Sequence, residues 1–257
     1  MRTHKLTVAY DGTEYVGWQR QAAGVSIQGC LEAALRDIEG APVAVVGAGR
    51  TDAGVHALGQ VAGVRLEAGI DPGTLARALN ARLPADIRVV ASEAAPDTFH
   101  ARFDAVAKSY RYRLAHGPVM SPFLRRYAWH VREPLDVEAM TEAGRMLVGE
   151  HDFAAFQAAG SSVRTTVRTL FDLTVRRVSP GARAETGGGA VSTVIEVSGS
   201  GFLRHMVRTI VGTLVEVGRG RWSPAEVEQV LGGADRSAAG PTAPARGLFL
   251  TAVRYPG

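Results

Sequence analysis

The stretch that says most about this chain is Gly49–Val61, which reads Gly49-Arg50-Thr51-Asp52-Ala53-Gly54-Val55-His56-Ala57-Leu58-Gly59-Gln60-Val61. It places one carboxylate, Asp52, in a glycine-rich loop between two short apolar runs, with Arg50 two residues before it. Glycine allows positive φ and lets a large ligand approach the backbone closely. A nearby arginine favours the ionised form of a carboxylate. The stretch therefore predicts a loop that holds one reactive aspartate at the surface.

The loop does not match the commoner glycine-rich motifs. A dinucleotide-binding fingerprint starting at Gly47 would need glycine where Asp52 stands, and the chain has no Gly-Lys-Ser/Thr motif for a nucleotide phosphate. An ordinary turn between two strands is the alternative interpretation, in which Asp52 only accepts hydrogen bonds from local amides.

Length and composition indicate a soluble globular protein. The 257 residues can bury one or two cores, and 46% of them are hydrophobic and 21% charged. The formal charge of +4 suits a polyanionic partner. Only Lys5 and Lys108 are lysines, so 27 of the 29 basic residues are arginine. Because a GC-rich coding genome would also produce that excess, charge alone does not identify the partner.

Several classes of site and location are disfavoured. Cys30 is the single cysteine, so an intrachain disulfide is impossible, and the seven histidines show no spacing typical of a metal site. No apolar run approaches the roughly 18 residues of a membrane helix. Leu6–Tyr10 is too short for the core of a signal peptide. We expect a cytoplasmic protein without metal or membrane association.

The first half of the chain predicts the element order β-α-β-β-α-β, which is that of a ferredoxin-like unit. Ser26 and the pair Asp71-Pro72 are typical of helix starts. The helix after Asp71 is expected to carry Leu75, Leu79 and Leu83. The predicted elements are Leu6–Tyr10, the helix after Ser26, Val43–Val46, Gln60–Leu66, the helix after Asp71, and Ile87–Ala91.

The second half repeats this alternation with variations. Its predicted elements are a strand over Val106–Ala115, a helix capped by Asp136 and closed by Gly149, strands over Phe171–Val175 and Val191–Val197, a hairpin loop over Ser179–Ala190, a long helix over Phe202–Val217, a helix opened by the capping box Ser223–Glu226, and a strand over Leu248–Val253. We predict an α+β fold of two ferredoxin-like (RRM-like) α/β halves, 1–105 and 106–257, whose antiparallel sheets join into one larger sheet with helices on the back.

Several segments resemble, in order, the TruA family of tRNA pseudouridine synthases. The likeness is carried by Tyr10-Asp11-Gly12, Gly17-Trp18-Gln19-Arg20-Gln21, the Asp52 loop, Phe99-His100-Ala101-Arg102-Phe103, Lys108-Ser109-Tyr110-Arg111-Tyr112, Gly149–Phe153, Arg164-Thr165 with Arg168, Phe202–Gly212 and Gly247–Leu250. The fold that this resemblance implies is the pseudouridine synthase fold.

The resemblance implies an isomerisation that needs no cofactor. Pseudouridine formation breaks the bond from ribose C1′ to uracil N1 and joins C1′ to C5, so substrate and product are isomers. A carboxylate facing C1′ can act as nucleophile or base, or stabilise positive charge on the sugar, as in glycosidases. Asp52 matches the family's catalytic aspartate. The choice between attack on C1′ and removal of a ribose proton to give a glycal stays open.

The resemblance also implies roles for further residues. Tyr110 matches the active-site tyrosine, which stacks on the extruded uracil, and Arg208 matches the arginine that pairs with the carboxylate; a solvated helix face is the alternative for Arg208. Arg50 is expected to contact RNA near the flipped nucleotide, and Leu248 to pack under the target base. Tyr112 is expected to be structural. Candidates for phosphate contacts are Arg102, Arg111, Arg113, Arg164, Arg168 and Arg204.

The implied partner is tRNA, modified at uridines 38, 39 and 40 of the anticodon stem-loop by a homodimer. Two alternatives stay open. An inert RNA-binding module with RRM-like sheets is disfavoured, because the aromatic RRM strand motif is missing. A pseudouridine synthase of another family, acting on other RNA, is disfavoured because the sequence of the Asp52 loop resembles that of the TruA family.

Overall fold

A computed structural model describes residues 1–158, 160, 163–178, 191–233 and 235–256. The hairpin loop predicted for Ser179–Ala190 lies outside the described residues. Contacts divide the chain into two compact units, Met1–Lys108 with Phe249–Gly257, and Ser109–Leu248. The domain division at residue 105 stays a prediction, because a compact unit need not be an independently folding domain.

The predicted fold class is confirmed: the chain is a mixed α/β protein with a large multi-stranded sheet and, among the described residues, five α-helices. No helix in the described ranges is long and apolar enough to cross a membrane. The elements are β1 (Arg2–Tyr10), α1 (Ile27–Glu39), β2 (Val46–Gly47), β3 (His56–Leu66), α2 (Pro72–Asn80), β4 (Ile87–Ala95), β5 (Ala107–His116), β6 (Trp129–Val131), α3 (Val137–Met146), β7 (Gly149–Asp152), β8 (Val167–Arg177), β9 (Val191–Gly199), α4 (Met206–Gly218), α5 (Pro224–Gly233) and β10 (Leu248–Arg254).

The first unit builds its sheet in the order β4-β1-β3-β10. Strand β1 pairs antiparallel with both β3 and β4, and β10 runs parallel to β3. Both predicted helix starts are confirmed: the Ser26 hydroxyl accepts from the Gly29 N–H at 3.2 Å, and the Asp71 carboxylate accepts from the Thr74 N–H at 3.0 Å. Each cap satisfies an N–H that lacks a partner within its helix.

Several predicted boundaries in the first unit were wrong: β1 begins at Arg2 rather than Leu6, and β4 extends to Ala95 rather than Ala91. The strand expected over Val43–Val46 is only Val46–Gly47, since pairing with β3 begins at Val46. Strand β3 begins at His56 rather than Gln60, because its first residues pair with β10. Leu83 lies beyond the end of α2, although it is buried as expected.

The second unit builds its sheet in the order β5-β9-β8-β7, with β6 parallel to β5. Strands β6 and β7, of 3 and 4 residues, were missed, because so short a segment shows almost no alternation. Asp136 caps α3 as predicted, but α3 ends at Met146, and Gly149, with φ of 114°, begins β7 instead of closing the helix. At α5 the Ser223 N–H donates to the Glu226 carboxylate at 2.6 Å, as in a capping box.

Helix α4 also begins later than predicted. His205, at φ of 61°, adopts the left-handed conformation and precedes the first helical residue, Met206. Arg208 is therefore the third residue of the helix and lies in its first turn. Almost every residue of α4 is buried, including Glu216, which pairs with Arg219 at 2.8 Å.

Helix α4 can pack closely against the segment 240–243 because residue 212 is glycine. A Cβ atom there would overlap the Pro241 carbonyl oxygen, and the Gly240 N–H donates to the Thr213 hydroxyl at 3.0 Å. The absence of a side chain at position 212 therefore fixes where this segment crosses the helix.

We predict opposite effects for two Gly→Ala substitutions in helices. Gly212→Ala should lower the free energy of unfolding by at least about 2 kcal/mol, because the segment at Pro241 must move away. Gly232→Ala, where a Cβ would have no described atom within 4 Å, should raise it by about 0.5 kcal/mol through helix propensity. Urea unfolding measures both. Equal stability of Gly212→Ala and the wild type would contradict the packing.

Candidate active site

Asp52 opens a tight turn between β2 and β3. The Val55 N–H donates to the Asp52 carbonyl at 3.1 Å, and Gly54, the third residue of the turn, has φ of 75°. A positive φ at that position is typical of glycine. Asp52 is half-buried and Arg50 is exposed. The turn therefore carries a half-buried carboxylate, with an exposed arginine two residues before it.

Three hydrogen bonds from outside the turn fix the residues just before Asp52. The Tyr10 and Thr51 hydroxyls lie 2.8 Å apart, and the Trp18 N–H donates to the Thr51 carbonyl at 3.0 Å. The Gln60 side-chain amide donates to the Gly49 carbonyl at 2.9 Å. Burial raises the pKa of Tyr10 to about 12, so its hydroxyl stays protonated at neutral pH. The loop is thus held by side chains from β1 and β3.

Two glycines let the N-terminal segment lie directly against the turn. A Cβ on Gly12 would overlap the Val55 carbonyl oxygen. A Cβ on Gly17, whose φ is 106°, would lie 2.5 Å from the Thr51 carbonyl oxygen. Larger residues at either position would push the turn away, so these glycines help to set the position of Asp52.

His56 is part of the core beneath the turn rather than a surface group. It is 1% exposed and its ring stacks on Phe249 with centroids 4.7 Å apart. Its Nδ1 lies 3.1 Å from both the Gly12 nitrogen and an Asp11 carboxylate oxygen. Because the Gly12 N–H can only donate, Nδ1 accepts that bond as the neutral ring, while Asp11 accepts from the Thr13 hydroxyl. His56 therefore supports the backbone.

Arg102 lies on an exposed turn that His100 organises. The His100 Nδ1 accepts from the Arg102 and Phe103 N–H groups at 3.2 and 3.1 Å, and its ring stacks on Phe103 at 4.2 Å. The Arg102 guanidinium carbon lies 5.7 Å from the Phe103 ring centroid. The side chains of Arg102 and Phe103 are exposed. An exposed cation beside an exposed ring suits contact with RNA.

In the second unit the two tyrosines of β5 have different environments. Tyr110 is 8% exposed and meets Phe202 edge to face, with ring centroids 5.0 Å apart. The Tyr112 hydroxyl donates to the Pro244 carbonyl at 2.7 Å, and burial raises the pKa of Tyr112. The Tyr112 ring also packs against Gly247, where a Cβ would lie 2.6 Å away. These contacts agree with a structural role for Tyr112.

Arg208 is fixed to the segment that precedes β10. Its Nε donates to the Ala243 carbonyl at 2.7 Å, and the Ala243 N–H donates back to the Arg208 carbonyl at 3.0 Å. The side chain is half-buried. Leu248, at the start of β10, is 5% exposed. The solvated helix face considered for Arg208 is wrong, because its guanidinium bonds a neighbouring backbone.

The remaining candidate arginines differ in exposure and in their partners. Arg164 and Arg204 are exposed. Arg168 is half-buried and donates to the Thr165 carbonyl at 2.9 Å, and burial lowers its pKa. Arg111, in β5, pairs at 2.7 Å with Glu196 of the neighbouring strand β9, so its charge already has a partner and a phosphate contact is disfavoured. Among the described residues, no group of three or more His, Cys, Asp or Glu could hold a metal ion.

Comparison with known proteins assigns the family. The sequence profile of the tRNA pseudouridine synthases matches residues 6–104 and 143–256. The chain belongs to the tRNA pseudouridine synthase family. It is therefore an isomerase that acts on tRNA.

Curated relatives within this family resemble the chain over almost its whole length. A tRNA pseudouridine synthase A of Syntrophotalea carbinolica is 48% identical, covering 99% of this chain and 97% of that protein. Proteins of the same name from Geobacter sulfurreducens and Beijerinckia indica subsp. indica are 46% and 45% identical, over 99% and 100% of this chain and 100% and 95% of theirs. Membership of the tRNA pseudouridine synthase family excludes the alternative interpretation, an inert RNA-binding module.

Sequence reasoning missed the groups that support the turn. Tyr10, Trp18 and Gln60 lie within segments that carry the family resemblance, but their contacts with Gly49 and Thr51 cross up to 41 positions. Gln60 did offer a signal, since a polar amide that is fully buried in a strand needs partners.

We predict that Tyr10→Phe lowers turnover of tRNA about tenfold while the protein stays folded, because the turn then lacks one of its fixed points. Tyr15→Phe is the matched control: its hydroxyl donates to Asp86 at 2.6 Å within the same unit. Each variant should lose about 1–2 kcal/mol of stability. Single-turnover kinetics and thermal unfolding separate the effects. Equal turnover in the two variants would contradict a role for Tyr10 in holding the turn.

Proposed function

We propose that this enzyme converts uridines 38, 39 and 40 of the tRNA anticodon stem-loop to pseudouridine, with Asp52 as the essential carboxylate. The observation that carries the proposal is the Asp52 turn. It has the sequence motif of the family, and side chains from the neighbouring strands β1 and β3 form hydrogen bonds that hold it. The curated relatives named tRNA pseudouridine synthase A support the choice of tRNA and of this branch of the family.

The reaction needs one carboxylate and no external reactant. The C1′–N1 bond breaks, the uracil turns in place, and C5 bonds to C1′; the C5 proton leaves to solvent and N1 takes one up. Asp52 either attacks C1′ or removes a ribose proton, and both routes need its ionised form. A half-buried position keeps the carboxylate accessible to a sugar while its backbone stays fixed.

Access to C1′ of a nucleotide in a stem requires that the base leave the stack. We assign Tyr110 to stack on the flipped uracil and to join a proton relay, and Leu248 to pack under the base. Arg208 has the proposed role of the cation that favours the ionised carboxylate. The bond from its Nε to the Ala243 carbonyl supports this, because it orients the guanidinium before substrate binds.

Exposed cations are assigned to the RNA backbone. Arg50 is next to the turn in sequence and is free to reach a phosphate or a base edge near the flipped nucleotide. Arg102 and Arg164 are exposed on turns. Arg168 is the weakest candidate, since it must exchange its bond to Thr165 for one to phosphate. Such contacts position the RNA without reading its sequence.

Asp52→Asn and Asp52→Ala should lower turnover by at least about a thousandfold while tRNA binding survives. Release of tritium from C5-labelled uridine in unmodified tRNA measures the reaction directly. Asp37→Asn is the matched control, because Asp37 is exposed on α1 and its nearest cation, Arg36, is 3.9 Å away and exposed. Asp52 variants within tenfold of wild type would refute its assignment, and modification at positions other than 38–40 would refute the substrate assignment.

The working unit is proposed to be a cytoplasmic homodimer that holds tRNA across a broad basic surface. Exposed arginines support this, because they lie in both compact units rather than in one tail: Arg50 and Arg102 in the first, and Arg125, Arg164 and Arg204 in the second. A chain of 27.2 kDa offers little surface on which to hold a whole tRNA.

Light scattering at micromolar concentration should report twice the 27.2 kDa chain mass. Affinity for tRNA should fall at least about a hundredfold between about 50 and 200 mM salt, through counterion release. Both measurements use the wild-type chain. A fully active monomer whose tRNA affinity does not change with salt would contradict both parts.

A further inference from the structure

Lys108 lies against the residue that starts the signature loop. It is the second residue of β5 and is half-buried. A Cβ on Gly49 would lie 3.3 Å from the Lys108 Cε and 3.7 Å from its Cδ. The methylene stem therefore runs beside Gly49, which immediately precedes Arg50 and is three positions before Asp52. Glycine at position 49 leaves room for this stem.

Lys108 has no acidic partner in the part of the chain that the structure describes: its side chain makes no hydrogen bond and no ion pair there. Burial, together with the positive charge of Arg102, lowers its pKa. The other lysine, Lys5, differs, since its Nζ lies 3.2 Å from the Glu93 carboxylate and 5.3 Å from the Tyr255 ring centroid. A partly desolvated ammonium without a counterion is unfavourable, so the folded protein gains nothing electrostatically from Lys108.

We propose that Lys108 binds a backbone phosphate of the tRNA beside the nucleotide that reacts at Asp52, and so acts as a positioning residue. The inference rests on the proposed function. Arg50 follows the glycine that Lys108 touches, and Arg102 is close enough to disfavour its charge. Cations gathered around the start of the loop favour binding of an anion, and phosphate is present at every nucleotide of RNA.

The chemistry of lysine suits this position. An ammonium is a point charge that can approach one phosphate oxygen from any direction, whereas a guanidinium binds best in the plane of two oxygens but can also bind one. The stem beside Gly49 limits the reach of Nζ, so a bound phosphate would be held at a defined distance from the turn. A lysine that only covers apolar surface with its stem is the competing explanation.

Lys108→Met and Lys108→Gln test the proposal, with Lys108→Arg as the conservative variant and Lys5→Met as the matched control. Each variant is combined with Asp52→Asn in the same chain, so that binding of an unmodified tRNA transcript is measured without turnover. Lys108→Met and Lys108→Gln should weaken binding about tenfold and reduce the slope of log affinity against log salt by about one. Lys108→Arg should keep most of the affinity, and Lys5→Met should change neither affinity nor slope.

Thermal unfolding provides the readout that separates binding from packing. Loss of the unpaired charge should leave the melting temperature of Lys108→Met equal to or above that of its parent. Wild-type affinity and slope in both neutral variants would overturn the proposal, as would a lower melting temperature with unchanged affinity. Binding and tritium release are separate measurements, so failure of the phosphate contact is distinguishable from failure of Asp52 or of the assigned tRNA positions.

Discussion

The position of Asp52 depends on one constraint, the close packing of the N-terminal segment against the turn that carries it. Thr51 is bonded through its hydroxyl to Tyr10 and through its carbonyl to the Trp18 N–H. Gly17 permits that approach, because any side chain there would meet the Thr51 carbonyl. The proposed role of Asp52 needs an accessible carboxylate, and full burial of its charge would be costly. The hydrogen bonds to Thr51 fix the residue immediately before it.

The same solution recurs in the second unit, where a half-buried charged residue is fixed through its backbone neighbours. Arg208 and Ala243 exchange two hydrogen bonds, and Gly212 lets the segment at Pro241 touch α4. His205 in a left-handed conformation sets the first turn of α4 and with it the position of Arg208. In each unit, glycine lets one backbone segment pack closely against another, and hydrogen bonds to backbone carbonyls hold the packed segment in place.

Local features were predictable from the sequence because their signals are local. The caps at Ser26 and Asp71 need only a polar side chain and an N–H three residues later. The Asp52 turn was predicted for the same reason. The wrong start of α4 reflects a left-handed His205, which no periodic pattern reveals. The support that Tyr10 gives the turn depends on the register of β1 against β3, which a single sequence does not determine.

Net charge said little about RNA binding, because two basic residues of the same strand have different environments and different roles. Arg111 in β5 is neutralised by Glu196, which Arg176 also contacts at 3.4 Å, so its role is to bind strands together. Lys108, three positions earlier, is also half-buried but makes no ion pair with an acid among the described residues. Removing Arg111 would leave Glu196 with one weaker partner, whereas removing Lys108 relieves a burial cost. The stability of the fold therefore explains the presence of Arg111 but not that of Lys108. For this reason Lys108, the unpaired cation, is the residue that we assign to substrate binding.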